Sequence, residues 1–376
     1  MRDVLEEIWR GLSERRLAGP VLAVIGLLAL VALGVASWWR APDSFEDGPG
    51  IVTFFQIGTG SVDSPYFAVG ERLAGAISRP PGTPPCDSAG PCGVKGLVAV
   101  VKSSAGAAAN IRAVEAGQFE SALVPAIMLD LAYRGKQPFK GEKPYNGLRA
   151  VASVYRENVF VVASRGAHIS RFEDLRKMRI AVGPKGSPLR ETALRVLAAF
   201  GIGPRNAVLS DELPERAADL ALFGQLDAFF MIGEPRAPFL RSLTDRGAVD
   251  IVPIDGPQLE VLRKTAPFLV PVTLPAGTFR LTPAIETLST PLVFICDVDT
   301  SPALVEEVTS ALFYPGNHML LSPPGLDGLL PGEGEEEMKM AVEGLPIPLH
   351  RGAAAFFYKK GIISEPPSTQ VPLERP

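Results

Sequence analysis

The sequence has few residues of the kinds that carry covalent chemistry or bind metals: three cysteines and three histidines in 376 residues. His168, His318 and His350 lie far apart, in no metal-ligand spacing and beside no nucleophilic Ser or Cys, so each reads as a surface or capping histidine. Cys86 and Cys92 lack the second Cys or His pair that a zinc site needs. Neither GxGxxG nor GxxxxGK followed by Ser or Thr occurs, which removes the common nucleotide-binding loops. No pair of carboxylates is marked as general acid and base. No catalytic residue, metal or cofactor is therefore expected. Positive charge is not in excess either: 37 Lys and Arg against 41 Asp and Glu give a net charge of −4. Nucleic-acid binding, which uses a basic field to displace counterions from phosphates, is excluded on that ground.

What is present is apolar. A hydrophobic share of 47% with 21% charged residues supplies a sizeable core and excludes wholesale disorder. The length suggests two or three structural units. From Val21 to Trp39 no charge interrupts the chain, and as a helix this run spans roughly 28 Å, about the hydrocarbon thickness of a bilayer. Arg10, Arg15 and Arg16 precede it, and Asp43, Glu46 and Asp47 follow. The positive-inside rule then leaves the N-terminus in the cytoplasm and sends the main domain across an inner membrane into the periplasm. An uncleaved, single-pass signal anchor is the expectation; cleavage after Val35-Ala36-Ser37 is the alternative. Export agrees with a disulfide between Cys86 and Cys92, which sit in the turn-rich PPCDSAGPCG. Cys296, in PLVFICDV, reads as a buried core thiol.

Along the chain, strand-like runs alternate with helical patterns, the mark of a parallel-sheet α/β fold. IVTFFQIG, LVAVVKS, AVASVY, NVFVVAS, RIAV, LDAFFMIG, VDIVPIDG and PLVFICDV are read as strands, and SALVPAIM as a short apolar run. Ser170 with Glu173 is read as a capping box opening a short helix. Two α/β lobes with two chain crossings, near VFVVAS and PLVFICD, account for the order. The expected division is an anchor with its cytoplasmic stub (1–40), a linker (41–50), lobe I (51–162 plus 291–363), lobe II (163–290) and a disordered tail (364–376).

Two turns stand out: Gly58-Thr59-Gly60-Ser61 after the first strand, and Gly183-Pro184-Lys185-Gly186-Ser187 after RIAV. Each delivers a small-residue turn to a helix N-terminus, where unpaired amides and the helix dipole favour an anion. Ordinary helix capping is the competing explanation at each position.

The ordered series FFQIGTGSVDSPYFAVG, SSAGAAANIRAVEAGQFESALV, LRAVASVYRENVFVVAS, ISRFEDLRKMRIAVGPKGS, GQLDAFFMIGEP, VPIDG, LPAGTF and IPLHRGAAAFFYKKG resembles the TAXI family. These are solute-binding subunits of tripartite ATP-independent periplasmic (TRAP) transporters, and the resemblance runs from about Ile51 to Ile363. It implies a two-lobed, type II periplasmic-binding-protein fold that closes on a small carboxylate or amino acid. It also implies handover to TRAP-type membrane permease subunits. The expected ligand-binding residues are Gly58, Thr59, Gly60, Ser61 and Tyr66, with Ser103, Ser104 and Asn110, and Gly186 and Ser187 from the second lobe. Tyr66 is expected to pack on the ligand's apolar body. The chain departs from the family pattern at Asp63, Pro125, Pro188 and Leu189, losing polar groups or backbone freedom. Asp63 would disfavour an anion unless Lys185 compensates. An altered ligand, or a membrane-tethered receptor or scaffold that signals through a partner, is therefore the alternative to transport.

Overall fold

Runs rich in β-branched and aromatic residues become the strands of a ten-stranded mixed sheet, the centre of the molecule. The computed structural model describes residues 52–86, 90–279, 282–321, 332 and 334–365. The apolar run Val21–Trp39, the linker 41–50 and residues 366–376 lie outside the described residues. Among the described residues no helix is long and apolar enough to cross a membrane.

In the first half, β1 (Thr53–Gly58) leads into α1 (Pro65–Ile77). The short strands β2 (Ser78–Arg79) and β3 (Val94–Lys95) pair on their own, next to the disulfide Cys86–Cys92. Then come β4 (Leu97–Lys102), α2 (Ala107–Glu115), β5 (Ser121–Pro125) and α3 (Ala126–Tyr133). The long strand β6 (Leu148–Ser164) crosses to β7 (Arg179–Ala181), α4 (Pro188–Ala199), β8 (Val208–Ser210), α5 (Pro214–Leu222) and β9 (Ala228–Gly233). The second half closes with α6 (Pro238–Asp245), β10 (Val249–Val252), α7 (Leu259–Thr265) and β11 (Val270–Leu274). β12 (Ile285–Asp297) returns to the first half, followed by α8 (Pro302–Leu312), α9 (His318–Leu321), α10 (Glu335–Val342) and α11 (Arg351–Lys359).

The sheet order is β4-β1-β5-β12-β6-β9-β7-β8, with β10 on β6 and β11 on β12. β4, β1 and β5 run parallel to one another, and so do β9, β7 and β8. Because β12 is antiparallel to both β5 and β6, and β9 is antiparallel to β6, the two parallel groups point in opposite directions. β5 ends at Pro125 opposite Leu292, which itself faces Tyr155, and β9 ends at Gly233 opposite Asn158. Only Tyr155 to Asn158 of β6, about 10 Å of strand, separates the two sets of C-terminal ends. This α/β plan has two halves joined by two crossing strands, β6 and β12.

Two readings of the sequence are corrected and a third, the apolar run SALVPAIM, is resolved into two elements. AVASVY and NVFVVAS are one 17-residue strand, because Arg156-Glu157 between them continues the ladder to β12 instead of turning. SALVPAIM changes from strand to helix at Ala126, where Pro125, with no N–H to donate, stands at the boundary. The segment after Ser170 is a single 3-10 turn, Phe172–Leu175, and the carboxylate that reaches back to the Ser170 and Arg171 amides is Asp174, not Glu173.

Packing joins the halves on one side of the sheet. Ile127 and Met128 of α3 share a core with Val196 and Leu197 of α4. Buried Asp130 of α3 takes Arg134 Nε at 2.6 Å and Arg195 Nη2 of α4 at 3.4 Å. A second core unites β1, α1, the end of β12 and α11 through Ile57, Leu73, Phe294 and Phe357. Cys296 lies there, fully buried, its thiol pushed up to about 12 by desolvation.

Candidate functional site

Ligands of open α/β sheets sit beyond the C-terminal ends of the strands. Here both sets of ends converge on the middle of β6 and β12, which makes that crossing the candidate site.

The first turn enters the site region already tied down. Thr59 is buried, its hydroxyl donating to the Lys102 carbonyl at 2.9 Å. The Thr59 carbonyl takes the Ser104 hydroxyl at 2.6 Å and Asn110 Nδ2 at 2.7 Å, and the same Asn110 amide reaches the Leu123 carbonyl at 3.1 Å. Thr59, Ser104 and Asn110 thus hold one another, joining the ends of β1, β4 and β5. Gly58 and Gly60 are buried with them, whereas Ser61, Asp63 and Ser103 are exposed. Asn110 Oδ1 is buried and without a partner.

The second turn is more open. Gly183 (φ +92°) and Gly186 (φ +74°) bend it, and Lys185 and Gly186 are exposed. Lys185 pairs with Asp211 at 3.4 Å, which Arg190 also engages, so the cation expected to offset Asp63 has another partner.

Both turns reach their helices in the same way. Ser64 caps α1 and Ser187 caps α4, each hydroxyl accepting from the amide three residues on, and each is followed by Pro at the first helical position. Serine at the cap and proline next to it are favoured for separate reasons: one fills an orphan N–H, the other lacks one. The consequence bears on function. Of the first three helical amides, proline removes one and the serine oxygen occupies another, while the Ser64 and Ser187 amides donate to the Ser61 and Pro184 carbonyls. The anion cradle expected at these termini is left with one first-turn amide in each helix, that of Tyr66 and that of Leu189.

The floor of the crossing is acidic. Glu157 of β6 is 6% exposed and accepts the Tyr66 hydroxyl at 2.7 Å. Two residues earlier on the same strand, Tyr155 donates its hydroxyl to Glu234, just past β9, at 2.8 Å. Burial, helped by the charge of Glu234 and opposed by the Tyr66 hydrogen bond, pushes the Glu157 carboxyl up to about 7. Burial and the neighbouring carboxylate also hold the Tyr66 phenol well above its usual range. Thr290 of β12 stands directly opposite Glu157 in the ladder, is 4% exposed, and its hydroxyl has no partner. Opposed residues of an antiparallel pair project to the same face.

Sequence reasoning did not single out Tyr155, Glu157, Glu234 and Thr290, and it named Tyr66 without the partner of its hydroxyl, Glu157. One signal was present: the polar triplet Arg156-Glu157-Asn158 inside an otherwise apolar strand pattern. Among the described residues no group of three or more His, Cys, Asp or Glu stands together as a metal site.

Comparison with known proteins identifies the lineage. The model of the NMT1-like family matches residues 57–361, both halves and both crossing strands, and the chain belongs to that family. Solved structures similar to it include a putative sulfonate ABC transporter periplasmic sulfonate-binding protein SsuA from Methylobacillus flagellatus KT, 16% identical, covering 72% of this chain and 70% of that one, TM-score 0.45. The periplasmic aliphatic sulphonate-binding protein SsuA of Escherichia coli is 14% identical, with coverages of 68% and 72% and a TM-score of 0.39. The alkanesulfonate-binding protein SsuA of Xanthomonas axonopodis pv. citri, bound to MOPS, is 18% identical, with coverages of 83% and 94% and a TM-score of 0.40.

Proposed function

We propose that this NMT1-like chain is an extracytoplasmic solute-binding protein, held at the inner membrane by Val21–Trp39 with its main domain in the periplasm. It captures a small organic acid or amino acid by closing two lobes, residues 51–162 plus 291–363 against 163–290, and performs no chemistry on it. Delivery to a TRAP-type permease is the finer reading, and the ordered resemblance to the TAXI branch supports it. The observation that carries the reading is the convergence of two oppositely directed sets of strand ends on the middle of β6 and β12. Small-molecule sites favour such junctions between lobes, and two crossing strands permit the hinge motion that closes them.

Thermal unfolding of the purified full chain against a panel of small carboxylates, sulfonates and amino acids tests it. A ligand bound only by the folded state raises the melting temperature with concentration. At least one chemical class is expected to do so. No shift with any member of the panel would overturn transport and favour the second reading, a membrane-tethered receptor or scaffold of the same fold. That reading draws on the first turn, where Ser104 and Asn110 are engaged by the Thr59 carbonyl and the Thr59 hydroxyl by that of Lys102.

A further inference from the structure

We propose that the floor of the crossing is an ammonium subsite: the solute this protein takes carries a protonated amine, seated against Glu157 with the Thr290 hydroxyl as a second acceptor. The inference rests on the solute-binding reading and names its ligand class.

Three observations carry it. Glu157 is nearly enclosed, its one side-chain donor is the Tyr66 hydroxyl, and no Lys or Arg among the described residues forms an ion pair with it. A buried carboxylate without a counter-ion is costly and gains from a cation brought to it. Thr290 Oγ1, on the same face directly across the ladder, is buried with no partner, so a hydroxyl acceptor stands beside the carboxylate. Glu234, engaged by Tyr155, adds a second carboxylate to the same floor.

The chemistry of the missing group follows from this set. The group that suits this set carries positive charge and donates to both the carboxylate and the hydroxyl, and an ammonium does both. A carboxylate at that spot would face acidic groups from below. The helix termini above offer little to reverse that preference, because Pro65 and Pro188 have no N–H and Ser64 and Ser187 occupy the third amides. A divalent metal is served less well, since no third acidic or imidazole side chain joins the group among the described residues. The solute's acidic end, if it has one, is left to the single free amide of each helix.

Matched pairs of probes test the proposal on the full chain. Calorimetry and thermal shift are run with the standard L-amino acids, taurine and putrescine, each beside its deaminated counterpart (propionate for alanine, ethanesulfonate for taurine), and with calcium chloride. A probe bearing an amine is expected to bind, and its deaminated partner to bind at least tenfold more weakly. Glu157→Gln is expected to weaken the amine probe at least tenfold and Thr290→Val several-fold, with the deaminated partner unaffected by either. A deaminated partner that binds as tightly as its amine, or a Glu157→Gln protein that is folded by circular dichroism and keeps full affinity, overturns the subsite while leaving solute binding intact. Calcium alone producing the shift overturns it in favour of a metal. Silence across every probe overturns the solute-binding reading together with this one.

Discussion

The turns at Gly58–Ser61 and Gly183–Ser187 read alike as sequence, each a strand, a small-residue bend and a Ser-Pro helix start, yet their surroundings differ. The first is knotted: Ser104 and Asn110 both donate to the Thr59 carbonyl while the Thr59 hydroxyl donates to that of Lys102, and a methyl group on Gly58 would lie 2.7 Å from Phe119 Cδ2 and 2.8 Å from Asn110 Oδ1. The second is open at its tip, with Gly186 exposed in the left-handed region and nothing within 4 Å of where a methyl would go. Shared local grammar therefore fixed the helix caps and nothing more. Whether the turn is rigid or adjustable is decided by what the neighbouring strand ends contribute, and β4, β5 and α2 crowd only the first.

The largest effect is expected at the knot itself. Asn110→Ala removes two buried donors at once and leaves the Leu123 carbonyl without the donor that met it. A loss of about 2–4 kcal/mol in urea unfolding is expected, since unmet buried acceptors keep their full desolvation cost. An effect below about 1 kcal/mol, no more than an ordinary cap substitution, would erase the contrast between the turns.

The floor between the turns comes next, and its sign depends on pH. The unfolded Glu157 carboxyl loses its proton near 4.5, while the folded one holds it to about 7. Across that window the folded state binds more protons, so its stability falls as pH rises, and the whole penalty stands above pH 7. Glu157→Gln cannot ionise. It is expected to gain on the wild type by about 2–3 kcal/mol between pH 4.5 and pH 8 in urea unfolding without ligand. A constant difference between the two proteins across that range would show the carboxylate to be solvated or neutralised. The cost of keeping an unneutralised acid at the crossing is what a bound cation would relieve.

Much of the fold was legible, and the reasons are local. Unbroken apolar runs marked β1, β4, β7 and β9, because that signal lies within a few adjacent residues. The floor was not legible, because it exists only through register. Tyr66 meets Glu157 across 91 residues and Tyr155 meets Glu234 across 79. Thr290 reaches Glu157 only through the pairing of β12 with β6. The triplet Arg156-Glu157-Asn158 suggested a break because a polar stretch is cheap in a loop and expensive in a central strand. It is tolerated here because a tyrosine hydroxyl meets Glu157 and because Arg156 Nη2 donates to the Met340 and Glu343 carbonyls. Thr59, Ser104 and Asn110 were read as ligand contacts, and sequence does not show that Ser104 and Asn110 meet the Thr59 carbonyl across 45 and 51 residues.

The smallest effect separates the two turns most directly, since the same substitution is made in each. Gly58→Ala forces a methyl against the Phe119 ring and the buried Asn110 amide, and overpacking of that kind costs about 1–3 kcal/mol. Gly186→Ala meets no atom and has only its left-handed backbone to resist it, worth about 1 kcal/mol. The two variants should also differ in function. A turn that is already rigid transmits its strain to the ends of β1, β4 and β5, so Gly58→Ala should weaken whatever ligand binds. A turn that moves with its lobe can absorb a methyl in the open state and resist it only on closure, so Gly186→Ala should slow ligand association more than it lowers the melting temperature. Stopped-flow association beside thermal unfolding reads both at once. Equal losses of stability, with unchanged association rates, would mean that the open turn is as fixed as the knotted one and that the asymmetry between the halves has no part in closure.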